Sequence, residues 1–274
     1  MCWLSTTVRD SFEHIKDPFG GTPKITLPNA LMSAFAMFSL KSPSLLAFDR
    51  IRMAEKHNLK SVYRIDKVPC DTQMRTRLDE VEPESLRPAH KAVFRRIQRG
   101  KALEEMVFMA DHYLVSVDGT SYFSSEKLYS PSCLEKKSSK TGKSTYHLQT
   151  LGAAIVHPDT REVIPLPPEP IRKQDGQDKN DCERNACRRW LHKFRQDHPH
   201  LKVIIVEDGL SPNAPHIRDL KEYRCRFILG LKEGDHAYLS ACNDLFLVPI
   251  SLEKDGNEER TLGDYSERIP IIHG

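Results

Sequence analysis

The chain has 274 residues, 39% of them hydrophobic and 29% charged, and 41 Lys and Arg against 38 Asp and Glu leave a formal charge of +3. Those proportions are ordinary for a soluble globular protein of one large domain or two modest ones. The stretch from Ala30 to Leu40 is the most apolar, and at roughly eleven residues it is too short to cross a bilayer, so a membrane protein is not expected.

From about Pro28 to Lys101 the pattern predicts helices. Asn29–Leu40 comes first, and Ser44–His57 follows Pro43. Asp71 is placed to cap a helix carrying Met74, Leu78 and Val81. A last helix starts near Pro83 and stops at Gly100, with Leu86, His90, Val93 and Ile97 at helical spacing. Arg87, Lys91, Arg95 and Arg99 follow one another every four residues on another face. Like charges so spaced repel by roughly 0.2–0.5 kcal/mol per pair, about 1 kcal/mol over three pairs. A polyanion would relieve that repulsion and release counterions, although a solvated basic face is the plainer reading.

Near residue 107 the period changes. Tyr113–Asp118 alternates as a strand does, Gly119-Thr120 suggests a tight turn, and Ser121–Ser125 reads as the returning strand. Leu148–His157 is a further strand. Lys179–His198 is a long helix with Cys182, Ala186, Trp190 and Phe194 on one face, and Asp178, Asp181 and Glu183 in its first turn suit the helix dipole. Val203–Val206 is a continuous apolar run, as in a strand covered on both faces. A helix at about Asn213–Tyr223 and a strand at Arg226–Leu231 complete the series. Strands followed by helix–strand–helix–strand predict an α/β fold with a mixed sheet flanked by helices, behind a helical N-terminal region.

Two carboxylates punctuate strands: Asp118 closes VSVD-GT and Asp208 closes VIIVED-G. Acids where strands emerge sit at the mouth of a sheet, where open α/β folds bind ligands. On neighbouring strands, roughly 5 Å apart, they would converge and invite a divalent cation. Acids at strand ends are also common as turn residues, and the pattern alone leaves both readings open.

Three segments taken together carry more. Val115–Ser125 (VSVDGTSYFSS), Lys173–Leu191 (KQDGQDKNDCERNACRRWL) and Val203–Leu220 (VIIVEDGLSPNAPHIRDL) resemble insertion-sequence transposases of the DDE superfamily. Arg226–His236 is similar to that family's next strand, and VPCDTQMRTRLDEVEPESLRP to the helical region before its core. The resemblance runs in one order from about residue 25 to about residue 250. It implies an RNase H-like catalytic core over 106–274, preceded by a helical DNA-binding region over 1–105. It further implies Mg²⁺ or Mn²⁺ held by Asp118 and Asp208, with phosphodiester cleavage and strand transfer at transposon ends. The implied partners are DNA, at transposon ends and target, and a second copy of the chain, in the cytoplasm.

The family's third ligand, a glutamate on a later helix, has no match here. Tyr265 and Arg268 have its flanking spacing, but Ile272 stands where the acid would be. The core therefore reads as incomplete at the C-terminus, and the chain alone is expected to be inactive or nearly so. The alternative is a non-catalytic DNA-binding remnant. Glu222 and Asp219 read as solvated surface acids.

Other signals are weaker. Lys136, Lys137, Lys140 and Lys143 end in a GKS run, but the first phosphate-loop glycine is replaced by Lys137 and a strand follows. No nucleotide cofactor is expected; a flexible basic hairpin tip is the plainer reading, and the resemblance favours contact with DNA backbone. The seven cysteines form no CxxC pair and read as reduced thiols of a cytosolic protein. Cys182 and Cys187 with His192 and His198 read as helix-face packing before a zinc site. Asp175, Asp178, Asp181 and Glu183 read chiefly as helix-capping acids, with a supporting role near a metal as the alternative. His147 and His216 flank the candidate site as packing or surface residues.

Overall fold

The computed structural model describes residues 3–20, 23–129, 133–138, 142–172, 179–207 and 214–230, with the side chains of 179–182 excluded. The chain divides into two units, Met1–Glu105 and Met106–Gly274. Among the described residues no helix is long and apolar enough to cross a membrane.

The first unit is helical: α1 (Trp3–Phe12), α2 (Leu27–Ser39), α3 (Leu45–Ile51), α4 (Lys56–Tyr63), α5 (Asp71–Leu78) and α6 (Arg87–Arg99). Its core is a cluster of Val8, Phe12, Leu27, Leu31, Met32, Phe48, Leu59, Ile65 and Met74. Helix α1 lies ahead of the predicted series. The single helix predicted over Ser44–His57 is two, because residues 53–58 bury nothing and packing does not hold that turn against fraying. Cys70, rather than Asp71, caps α5. Pro83–Leu86 is a separate 3₁₀ turn ahead of α6. On α6 the buried side chains are Ala89 and Phe94, while the predicted stripe members Leu86 and Val93 pack only at the core margin.

The second unit is a mixed sheet with helices, as the RNase H-like expectation requires. Its strands are β1 (Tyr113–Ser125), β2 (Leu134–Lys137), β3 (Ser144–Val156), β4 (Ile164–Pro165), β5 (Glu169–Ile171), β6 (Val203–Glu207) and β7 (Arg226–Leu229). Helix α7 (Lys179–Asp197) precedes β6, and α8 (Ala214–Glu222) joins β6 to β7. The order across the sheet is β2-β3-β1-β6-β7, with β4 and β5 also pairing with β3. Pairing is antiparallel between β3 and its partners β1, β2, β4 and β5, and parallel from β1 through β6 to β7.

The turn predicted at Gly119-Thr120 does not form. β1 runs on as one strand, pairing Gly119 with Leu151 and Thr120 with Thr150, and its irregularity falls between Ser121 and Phe123. A two-residue hairpin turn needs positive φ, and Gly119 is not among the glycines that adopt it. The 13-residue partner β3 offers ladder bonds along the whole strand and overrides the local Asp-Gly signal.

Packing under the sheet is apolar and close. Val115, Ile155, Trp190, Leu191, Ile205 and Leu220 are wholly or almost wholly buried. The Trp190 and Phe194 rings stack at 4.9 Å between centroids, and the indole N–H donates to Pro167 O at 3.0 Å. The expected apolar face of α7 is present at Ala186, Trp190 and Phe194; Cys182 is outside the described side chains.

Candidate functional site

Strand alternation sets the exposure of the first acid. Val115 and Val117 are buried, and Ser116 and Asp118 between and beyond them are exposed. The β1–β6 ladder ends at the pair Ser116–Val206, while β1 continues on β3 with Asp118 opposite Gly152. Asp118 thus projects two residues beyond the last parallel pair. Asp208 lies outside the described residues; in sequence it follows Val206 by as many positions as Asp118 follows Ser116.

A further carboxylate, that of Glu183 on α7, packs against β1 on the face opposite Asp118. A Cβ on Gly119 would lie 2.7 Å from Glu183 Oε1 and 3.0 Å from its Cδ. The glycine is therefore what allows the α7 carboxylate to rest against β1, one residue from Asp118. In the sequence Glu183 reads chiefly as an acid of a helical first turn, with a supporting role near a metal as the alternative. Asp175, Asp178 and Lys140 are outside the described residues, as is the side chain of Asp181.

Behind the strand ends lies a buried polar group joining three elements. Glu207, the last residue of β6, has a side chain only 3% exposed, and that of His216 on α8 is 5% exposed. His216 Nε2 is 2.7 Å from Glu207 Oε2, and the Cys187 thiol of α7 donates to Glu207 Oε1 at 3.5 Å. Burial pushes the Cys187 thiol well above its usual range, and the Glu207 carboxylate adds to the shift. His216, expected as packing or surface, is buried and bonded to a carboxylate. The zinc arrangement considered for Cys182, Cys187, His192 and His198 is not found among the described side chains: Cys187 turns to Glu207, and His192 contacts Gln196 and Tyr223.

A second buried acid, Glu169 on β5, receives Arg189 Nε and Lys193 Nζ of α7, each at 2.9 Å. This ties the short strand to the helix. Asp219 is not a solvated acid: it is half-buried and accepts from Arg188 Nε at 2.9 Å, while Glu222 is exposed.

The basic residues divide. On α6, Arg95 and Arg99 are exposed, whereas Arg87 and Lys91 are half-buried and Arg87 lies 3.9 Å from Glu84. The four-residue spacing drifts around a 3.6-residue helix, carrying the stripe from the core margin out to solvent. Lys136 and Lys137 are exposed on β2 opposite Thr145 and Ser144, and Lys143, 3.8 Å from Glu126, stands at the base of β3. Ser138 N–H donates to Lys143 O and Gly142 takes φ +66°, closing a hairpin end with lysines on both strands.

No protein-family model and no curated protein sequence matches the chain. Among solved structures, a piggyBac transposase in a synaptic complex with hairpin DNA is similar at 11% identity and a TM-score of 0.35, over 83% of this chain and 47% of that one. The match thus spans about half the length of that transposase.

Proposed function

We propose that the chain is a DDE-type DNA transposase, or a transposase-derived protein, whose metal-binding acids are Asp118 and Asp208. The observation that carries this is the end of the β1–β6 ladder. An exposed carboxylate on the central strand stands just past the last parallel pair, beside a neighbour whose sequence continues into Asp208. Paired aspartates offer hard oxygen donors, which suit Mg²⁺ or Mn²⁺. A bound divalent cation would supply Lewis acidity for attack of water or a 3′-hydroxyl on a phosphodiester. The chain's own residues hold the oxygen donors on a rigid sheet, and exposed lysines and arginines meet the phosphates of DNA. A second copy of the chain at the paired transposon ends belongs to the same reading.

The test is calorimetric titration of Mn²⁺ into the full chain beside an Asp118→Ala/Asp208→Ala variant. Binding that disappears in the variant is the expected result. Equal heats in both proteins would overturn the assignment of the acids and leave a DNA-binding protein without chemistry.

A further inference from the structure

We propose that Cys187, Glu207 and His216 form a buried zinc site, distinct from the proposed Mg²⁺ or Mn²⁺ acids. Their ligating atoms all lie within 4.8 Å of one another, on α7, β6 and α8. The donor set is a thiol, an imidazole and a carboxylate, the three side-chain types from which zinc sites are built. Sulfur and nitrogen also argue against Mg²⁺, which takes oxygen.

The geometry is close to what zinc requires. With bonds of about 2.3 Å to sulfur and about 2.0 Å to nitrogen or oxygen, tetrahedral coordination separates sulfur from oxygen by about 3.5 Å and nitrogen from oxygen by about 3.3 Å. Cys187 Sγ already lies 3.5 Å from Glu207 Oε1. His216 Nε2 lies 2.7 Å from the other oxygen, Oε2, so binding through one oxygen requires the carboxylate to turn and the imidazole to draw back by a fraction of an ångström as the shared proton leaves.

Charge points the same way. Zn²⁺, a thiolate, a carboxylate and a neutral imidazole sum to zero, which a site buried to this degree tolerates far better than a net charge. Cys225, buried just before β7, is a further sulfur close enough to interact electrostatically with both Cys187 and Glu207. Because the three ligands already neutralise the ion, the fourth coordination position falls to water rather than to a second thiolate. The ion would join the successive elements α7, β6 and α8, contributing binding free energy directly to folding.

The experiment uses the full 274-residue chain. After dialysis against limiting zinc, wild type is expected to retain one zinc per chain and to melt higher with zinc than without. Replacement by Co²⁺ should give thiolate-to-metal charge-transfer absorption. Cys187→Ser should abolish that absorption, and Cys187→Ser and His216→Gln should each weaken zinc at least roughly tenfold. Asp118→Ala should leave zinc unchanged, so failure of the Mn²⁺ proposal would show separately. A folded wild-type chain that takes up no zinc, or cobalt absorption that survives Cys187→Ser, would overturn the site and leave a buried hydrogen-bond network only. If the variants do not fold, the wild-type stoichiometry and absorption still decide.

Discussion

At position 119 the absence of a side chain is what lets the Glu183 carboxylate of α7 rest against β1. A methyl group there would stand 2.7 Å from Glu183 Oε1, closer than a real Cβ approaches its neighbours, so the carboxylate would have to withdraw. Gly119→Ala is therefore expected to keep the fold and lower its stability by about 1 kcal/mol. Urea unfolding followed by circular dichroism checks this, and an unchanged midpoint would exclude the contact. His90, half-buried on α6, carries a pH signal. Burial and then Arg87 lower its pKa below 6.5. As pH falls through 6.5 the unfolded chain takes up the proton first, so the stability contributed by this group is present above 6.5 and lost below it. Urea unfolding at about pH 7.5 and about pH 5 should show a smaller acid loss in His90→Gln than in wild type.

The hairpin of β2 and β3 tests the DNA-binding expectation at the scale of an element. Lys136 and Lys137 on one strand and Lys143 at the start of the other leave the sheet at the same end. With Lys140, they are expected to bind backbone phosphates. Each lysine–phosphate pair removed should lower the slope of log affinity against log salt by about 0.9 on duplex DNA. Changing all four to Gln should reduce affinity for any duplex and flatten that slope; an unchanged slope would exclude the hairpin. The stripe on α6 makes a weaker case, because Arg87 and Lys91 are half-buried. Elements also show where sequence reasoning reached its range. β6 was legible because Val203–Val206 is apolar without interruption, and α7 because Ala186, Trp190 and Phe194 recur at helical spacing. β4 and β5, of two and three residues and each containing proline, carry no periodicity to detect. β1 was divided in two because Asp-Gly is a local turn signal, whereas its continuity is decided by β3, some thirty residues away in sequence.

For the molecule as a whole, layer order followed from the alternation of strand and helix patterns, and the mixed sheet was legible for that reason. The buried polar groups were not. Cys187, Glu207 and His216 belong to α7, β6 and α8, and no short motif links them. Glu207 looked like the lesser half of a Glu-Asp pair, yet strand alternation sends it inward. Glu169 likewise gives no hint in sequence that Arg189 and Lys193 will neutralise it. The sheet's far edge has a consequence of a different kind. β3 is covered there by β2, β5 and β4, pieces of four, three and two residues rather than one long strand. An incoming strand from another molecule finds no extended row of free backbone groups on that side, and the longest piece presents Lys136 and Lys137 to it. The lysines proposed to meet phosphate would thus also serve as gatekeepers against sheet-to-sheet aggregation.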